Sequence, residues 1–272
     1  MQYLHDPAHP QVTVTRLQSM READEKIAML TCYDATFAAL MDRAGVDIAF
    51  IGDSLGNVVQ GHTTTLPVSV ADIAYHTAAV TRGVRRAMVI SDIPFGCLGS
   101  VEQTYDAAVE LMRAGASMVK IEGGHWLSST IRFLVERGIP VCAHIGLTPQ
   151  SVHAFGGFKV QGKSAASATV LLNDAAACEA AGAQLLVIEA IPSHLAAEVT
   201  GQLSIPTIGI GAGPYCSGQV LVLHDMLGIS PGKRPRFVKD FMEGESSILA
   251  GLEKFVREVK EGVFPGSDHS YQ

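Results

Sequence analysis

The sequence is poor in the features that mark disulfide-stabilised and zinc-binding proteins. It contains five cysteines in 272 residues, an odd number, and none of them forms a C-x-x-C pair. Neither a disulfide framework nor a structural zinc site is therefore expected, and a reducing compartment is the simpler interpretation. We expect the five thiols to be small, buried, apolar residues of the core.

Excess positive charge and long apolar runs are also missing. The 20 Lys and Arg residues are outnumbered by 27 Asp and Glu residues, which gives a formal net charge of -7 and argues against a nucleic-acid partner. No apolar run approaches the roughly 20 residues of a membrane helix. The N-terminus lacks the cationic start and apolar block of a signal peptide. We expect a cytoplasmic protein with no membrane partner.

Short apolar runs are abundant, and they alternate with longer segments of helical periodicity. Hydrophobic residues make up 47% of the chain, enough for a large core. Eight of the runs are too short for buried helices and lack the strict alternation of a half-exposed antiparallel sheet. They are typical of parallel strands covered by helices. The predicted strands are 27–34, 47–54, 87–94, 117–123, 140–147, 184–191, 206–213 and 219–226.

The segments between these strands predict helices, and three of them end in an Ala-Gly pair just before a strand. Gly45, Gly115 and Gly182 are the glycines, and each can adopt the left-handed conformation that closes a helix. Eight strands with intervening helices predict an α/β fold, a (β/α)8 TIM barrel, for which about 250 residues are typical. We expect a single domain over 1–272, with an N-terminal helical segment (1–26) and a tail (264–272). A doubly wound open sheet is the alternative.

Two glycine-containing stretches lie outside the regular pattern. The long interval 148–183 begins TPQSVHAFGGFKVQGKS, which indicates an elaborated loop over one end of the barrel. The stretch GIGAG (209–213) lacks the G-x-G-x-x-G spacing of a dinucleotide site, and we interpret it as a strand-to-loop turn.

Four predicted strands carry an acid at or near their C-terminal ends. These acids are Asp53, Asp92, Glu122 and Glu189. Active sites of (β/α)8 barrels are built at that end, and an unpaired buried carboxylate is costly, so each acid needs a metal, a cation or water nearby. A single acid of this kind is as well explained by capping. Four acids from different strands favour a functional site.

Three of these acids come from neighbouring strands and predict a metal site. Asp53, Asp92 and Glu122 offer only oxygen ligands, which favours Mg²⁺ or a similar cation over zinc. Lys120 is two positions from Glu122, so both side chains point to the same face of a strand. We expect Lys120 to neutralise local charge and hold a substrate carboxylate. Its alternative role is a structural ion pair.

Two further side chains are candidates on the fifth and sixth strands. Glu189 lies far round the barrel from the predicted metal site, a position suited to a general base, and its apolar neighbours predict desolvation. Its alternative role is that of a buried glutamate paired with an arginine or lysine. His144 is a candidate hydrogen-bond donor to the substrate, or otherwise a satisfied core histidine.

Eight short motifs follow one another from about Ile27 to the tail: GDSLG (52–56), ADIAYHTAAV (71–80), MVKIEGG (118–124), HIGLTPQSV (144–152), GGFKVQGK (156–163), IGIGAG (208–213), HDMLGI (224–229) and FPGSDHS (264–270). Each motif alone is unspecific, whereas the full set in this order is highly specific. The set resembles the ketopantoate hydroxymethyltransferase family.

The resemblance implies a barrel of the phosphoenolpyruvate/pyruvate type and a role in pantothenate biosynthesis. The implied reaction transfers a hydroxymethyl group from 5,10-methylenetetrahydrofolate to 3-methyl-2-oxobutanoate through a magnesium-stabilised enolate, giving 2-dehydropantoate. It implies one Mg²⁺ per subunit and a homo-oligomer, a decamer. The implied metal site consists of Asp53, Asp92 and Glu122, the implied substrate contacts are Asp53, Ser54, Asp92 and Lys120, and the implied proton acceptor is Glu189.

Two other functions fit parts of the pattern. A magnesium-dependent C–C lyase or mutase of the isocitrate lyase and phosphoenolpyruvate mutase type would share the barrel, the metal and the enolate. The chain lacks the K-K-C-G-H loop typical of that lyase. A catalytically silent barrel used for binding would be expected to have lost some of the strand-end acids, yet all four are present.

Overall fold

Eight parallel strands follow one another around a closed barrel in the computed structural model, which describes residues 10–232 and 234–272. Each strand pairs with the next in sequence, and the first pairs with the last, so the predicted (β/α)8 barrel is confirmed and the open sheet is excluded. The strands are β1 (Ile27–Thr31), β2 (Ile48–Ile51), β3 (Met88–Asp92), β4 (Met118–Glu122), β5 (Val141–Gly146), β6 (Leu185–Glu189), β7 (Thr207–Ile210) and β8 (Gly218–Leu221).

Helices surround the barrel and connect its strands. Most of the longer ones begin at a Ser, Thr or Asp whose side chain accepts a hydrogen bond from the first turn, as Asp34 and Ser69 do. The three predicted junction glycines all have positive φ, between 90° and 112°. The helices are α1 (Val14–Glu22), α2 (Ala35–Ala44), α3 (Leu55–Val58), α4 (Val70–Gly83), α5 (Val101–Arg113), α6 (Ser128–Val135), α7 (Val152–Phe155), α8 (Ala165–Ala180), α9 (Ser193–Gln202), α10 (Leu223–Met226) and α11 (Ile248–Lys260).

The strand predicted over 219–226 is wrong in its second half. β8 ends at Leu221, and Leu223–Met226 forms the short helix α10 instead. The Thr31 hydroxyl accepts a hydrogen bond from the Leu223 amide at 3.0 Å, so the chain turns away from the sheet there. The other seven predicted strands exist, but each observed strand is shorter than its apolar run because the final residues lead into loops.

The core has two layers, one inside the barrel and one between the barrel and the helices. Inside, side chains from the strands pack with Leu17 and Met20 of α1, which closes the amino-terminal end of the barrel. α1 lies in the predicted N-terminal helical segment (1–26), of which residues 1–9 are outside the described residues. The opposite, carboxyl end stays open for a site. That 1–272 forms one domain stays a prediction.

Two predictions from composition bear on the fold. All five cysteines are free thiols, four of them buried and Cys97 partly buried, as expected for core residues. In residues 10–232 and 234–272, no helix has both the length and the hydrophobicity needed to cross a membrane.

A substitution at Phe255 on α11 tests the packing of the core layer between the barrel and the helices. Its ring is fully buried and packs edge-on against Phe241 at 5.3 Å between centroids. We expect Phe255→Ala to lower the free energy of unfolding by about 3–5 kcal/mol, because it removes a buried aromatic ring and leaves a cavity. Urea denaturation at fixed protein concentration measures the change. The matched control is Phe95→Ala, since Phe95 is 52% exposed. Equal losses in both variants would contradict this packing.

Candidate active site

The carboxyl ends of β2 to β6 bring all seven predicted site residues around one small cavity. Asp92, Glu122 and Glu189 are the last residues of their strands, and Asp53 follows β2 by two positions. The cavity has a volume of about 120 Å³, and its lining includes Asp53, Ser54, Asp92, Lys120, Glu122, His144 and Glu189. The convergence that strand order predicted is therefore observed. The roles of these residues in binding and catalysis stay predictions.

Asp53, Asp92 and Glu122 form a buried acidic triad. One carboxylate oxygen from each lies within 4.8 Å of the others, an arrangement suited to a metal ion. The backbone amide of Asp53 donates a hydrogen bond to Asp92 Oδ2 at 3.1 Å, which ties the β2 loop to the end of β3. Three acids from separate strands thus present their oxygens to one point.

Lys120 contacts two acids of this triad. Its Nζ lies 2.6 Å from Asp92 Oδ1 and 3.3 Å from Glu122 Oε1, and the side chain is buried. Burial alone would lower the pKa of Lys120, but the neighbouring carboxylates outweigh burial and raise the pKa above its ordinary value. The lysine is therefore charged, and it is one cation among three acids.

The site is short of positive charge. Burial raises the pKa of Asp53 well above its ordinary value, and repulsion from Asp92 and Glu122 raises it further. Burial also raises the pKa of Asp92, although Lys120 opposes the change. For Glu122, burial acts in the same direction, but Lys120 and His144 outweigh it and lower the pKa to about 2. An added divalent cation would favour full ionisation of all three acids.

His144 lies between two glutamates. Its Nδ1 is 3.2 Å from Glu122 Oε1 and its Nε2 is 3.3 Å from Glu189 Oε2. Burial and the nearby Lys120 lower the pKa of His144, but the two glutamates outweigh them and raise it to about 9. Despite this distance to Glu189, the buried Nε2 forms no hydrogen bond within the described residues. It is a donor available to a ligand in the cavity.

Glu189 differs from the triad in exposure. Its side chain is 15% exposed, compared with 1% for Asp92 and 2% for Glu122. It therefore faces open space in the cavity, opposite the acids of β2 to β4. The apolar neighbours did not bury it as completely as the sequence predicted.

Ser54 is oriented by a tyrosine. The Ser54 Oγ and the Tyr33 hydroxyl oxygen are 2.7 Å apart. Burial raises the pKa of Tyr33 above its ordinary value, so the tyrosine remains a neutral phenol. Ser54 thereby presents a fixed hydroxyl to the cavity beside Asp53.

Gln150 is a site residue that the sequence reasoning missed. Its backbone amide donates to Glu122 Oε2 at 3.0 Å, and its side-chain Nε2 donates to Asp53 Oδ2 and to the Ile93 carbonyl, both at 3.0 Å. One residue from the loop after β5 thus fixes two acids of the triad. The available signal was its place in HIGLTPQSV, directly after a strand and at the start of the loop predicted to cover the barrel.

Solved structures share this barrel at low sequence identity, which shows the fold alone. A phosphonopyruvate hydrolase complex with oxalate and Mg++ has a TM-score of 0.60 and 14% identity, covering 77% of this chain and 80% of that chain. A putative phosphonomutase from Burkholderia cenocepacia has a TM-score of 0.64 and 17% identity, covering 79% and 95%. A 2,3-dimethylmalate lyase of the PEP mutase/isocitrate lyase superfamily has a TM-score of 0.54 and 22% identity, covering 74% and 72%. These likenesses confirm the (β/α)8 barrel, and the phosphoenolpyruvate/pyruvate type stays a prediction.

Comparisons of the sequence identify the family of this chain, whereas the comparisons of structure identify only its fold. Residues 11–267 match the family model for ketopantoate hydroxymethyltransferase. Proteins named 3-methyl-2-oxobutanoate hydroxymethyltransferase from Burkholderia thailandensis and Paraburkholderia xenovorans are each 68% identical over 271 residues, covering 100% of both chains. The resemblance inferred from the motifs is confirmed. The chain belongs to the ketopantoate hydroxymethyltransferase family, and it is a one-carbon transferase.

Proposed function

We propose that this enzyme transfers a hydroxymethyl group from 5,10-methylenetetrahydrofolate to 3-methyl-2-oxobutanoate, giving 2-dehydropantoate for pantothenate biosynthesis. The observation that carries the proposal is one cavity with the acidic triad and Lys120 on one side and Glu189 on the other. The names of the 68% identical relatives support the acceptor acid. The compact cavity of about 120 Å³ suits a small acid.

Magnesium fits the triad by ligand type and by charge. Asp53, Asp92 and Glu122 offer hard oxygen ligands within 4.8 Å of one another, and burial together with repulsion from the other two acids raises the pKa of Asp53, which a bound divalent cation would counteract. The related fold of phosphonopyruvate hydrolase, described in complex with oxalate and Mg++, supports this choice. When bound, one Mg²⁺ per subunit supplies Lewis acidity toward the oxygens of the 2-oxo acid.

Glu189 is the proposed general base. It is the acid of the four that faces open space, and it lies across the cavity from the triad. With the carboxylate of the 2-oxo acid held near Lys120, C3 faces Glu189, which removes the C3 proton. The Lys120 ammonium stabilises the negative charge that develops on the keto oxygen. His144 Nε2 lies 3.3 Å from Glu189 Oε2 but forms no hydrogen bond within the described residues, and it donates a hydrogen bond to the substrate.

The carbon nucleophile then forms its bond to the one-carbon unit of the folate. C3 gains the new carbon, and both C–N bonds that hold this carbon to the folate break. Water supplies the hydroxyl group and one proton, and the C3 proton taken by Glu189 is the other, so tetrahydrofolate leaves with both N–H groups restored. Ser54, held by Tyr33, and Asp53 line the wall beside this position and orient the acceptor acid. Each residue predicted from the strand ends therefore has a defined task.

A C–C lyase or mutase is the weaker alternative. The lyase and phosphonopyruvate hydrolase structures share 13–22% identity with this chain, whereas the hydroxymethyltransferase relatives share 68% over its full length. The higher sequence identity to the hydroxymethyltransferases supports transferase chemistry, since one barrel fold can carry many different activities. Isocitrate cleavage measured beside folate-dependent hydroxymethylation separates the two.

The remaining proposals concern assembly and location. A homo-oligomer, specifically a decamer, follows from the family resemblance, and a cytoplasmic location follows from the composition of the sequence. Large aromatic side chains exposed on the surface, such as Tyr75 at 72% and Tyr215 at 60%, support association between copies. Light scattering coupled to gel filtration measures the subunit number.

Glu189→Gln tests the base. The substitution preserves size but cannot accept the C3 proton, so we expect exchange of that proton with deuterated water to fall at least about 100-fold. Binding of the 2-oxo acid with Mg²⁺ should stay close to wild type. NMR of 3-methyl-2-oxobutanoate follows the exchange. The control is Glu198→Gln on α9, an exposed acid beyond the same strand. Unchanged exchange in Glu189→Gln would remove Glu189 as the base.

Asp92→Asn tests the metal site. The change removes one negative charge from the triad and leaves the shape nearly the same, so we expect magnesium-dependent binding of the 2-oxo acid to weaken about tenfold or more. Calorimetric titration of the acid at several Mg²⁺ concentrations measures it. Asp106→Asn on α5, an exposed acid following the same strand, is the control. A normal magnesium dependence in Asp92→Asn would contradict the assignment.

A further inference from the structure

The inner cavity accommodates one substrate and leaves the second without a place. Its volume of about 120 Å³ is well below the roughly 300–1,000 Å³ of pockets that hold drug-sized ligands. An adjoining outer cavity measures about 420 Å³. The two cavities share a wall formed by Asp53, Ser54, Pro149, Glu189, Asp225 and Phe237. A ligand in the outer cavity therefore reaches the proposed base directly.

Three aromatic side chains from distant parts of the chain line the outer cavity, which we call the aromatic cavity. Phe158 comes from the loop after α7, Phe237 from the segment after α10, and Tyr271 from the tail. Phe158 is 61% exposed. In residues 10–232 and 234–272, none of these rings forms an aromatic pair with another. All three rings line the cavity, so a flat ligand bound there would contact them.

Gly211, in the GIGAG stretch, explains how two of these rings reach the barrel mouth. A Cβ atom at this position would lie 2.9 Å from Phe237 Cδ1 and 3.0 Å from Tyr271 Cε2, too close for either ring to stay in place. The tail is tied down beside it, since the Ser193 amide donates to the Tyr271 carbonyl at 2.9 Å. The missing side chain and the anchored tail together build this wall.

Lys159 supplies positive charge at the rim. It is exposed, lines the aromatic cavity, and has no carboxylate partner among the described residues. The nearby Arg234 is engaged with Asp240 at 2.9 Å. An unpaired ammonium next to apolar rings suits a ligand with a flat aromatic part and an anionic tail.

We propose that the aromatic cavity binds the reduced folate, with the pterin ring against Phe158, Phe237 and Tyr271 and the glutamate carboxylates near Lys159. This proposal rests on the proposed function and extends it to the place of the second substrate. Flat rings gain from stacked or edge-on contact with aromatic side chains. Three other cavities of the described residues, of about 480, 330 and 300 Å³, are not lined by Glu189, so a folate there would not face the proposed base.

Phe158→Ala tests the aromatic wall. We expect the KM for 5,10-methylenetetrahydrofolate and the Kd for tetrahydrofolate to rise about three- to tenfold, the loss expected for one ring contact. The change should be confined to the folate, with the KM for the 2-oxo acid close to wild type. Steady-state kinetics and calorimetric titration with tetrahydrofolate provide the two readouts. Phe95→Ala, at an exposed phenylalanine that lines neither the aromatic nor the inner cavity, is the control.

Lys159→Glu tests the charged rim. We expect the KM for the folate to rise about tenfold, and to rise more for the triglutamate form than for the monoglutamate form, because repulsion grows with the number of carboxylates. Lys163→Glu is the matched control, since Lys163 is exposed in the same loop but does not line the aromatic cavity.

The combined results distinguish a failure of the proposed folate site from a failure of the proposed function. A wild-type enzyme that exchanges the C3 proton and transfers the hydroxymethyl group, with folate constants raised only in Phe158→Ala and Lys159→Glu, supports both. A wild-type enzyme that transfers normally, with folate constants equal in test and control variants, overturns the folate site alone. A wild-type enzyme that neither exchanges the proton nor transfers the group overturns the proposed function and the folate site with it.

Discussion

The close approach of three buried carboxylates to one another, two of them in contact with the Lys120 ammonium, is the constraint on which the rest of this structure depends. Burying like charges together is costly, and Lys120, at 2.6 Å from Asp92, offsets only part of that cost. Hydrogen bonds from Gln150 to Asp53 and Glu122 hold the acids in place despite their repulsion. The surplus negative charge makes the site receptive to a divalent cation, and the proposed chemistry follows from that property.

The residues that stabilise the barrel and the residues of the candidate active site lie at different levels along the barrel axis. Apolar side chains fill the interior below the site, and α1 closes the amino end with Leu17 and Met20. The charged groups occupy only the carboxyl end, where loops can vary without disturbing the layers beneath. Burial of apolar surface below therefore offsets the cost of assembling charges above. The same end carries the aromatic cavity, so both substrates would approach from one side.

Much of this arrangement was predictable because strand parity and strand order are simple rules. The alternation of side chains along β4 placed Lys120 and Glu122 on one face, and the order of β2, β3 and β4 placed their acids together. Gln150 escaped prediction because its partner Asp53 is 97 positions away and the contact depends on how one loop folds. The end of β8 was not predicted for a similar reason. The Leu223 amide donates a hydrogen bond to the Thr31 hydroxyl on β1, and this contact joins distant parts of the chain.

The sequence by itself determined the closed barrel, the family, and the set of charged residues at the strand ends, because these depend on local periodicity and residue type. Only the tertiary structure decided the distances within the triad, the position of His144 between two glutamates, and the closure of Phe237 and Tyr271 over Gly211. Those features depend on contacts between segments far apart in the chain. Their geometry is set by packing, which local patterns do not encode.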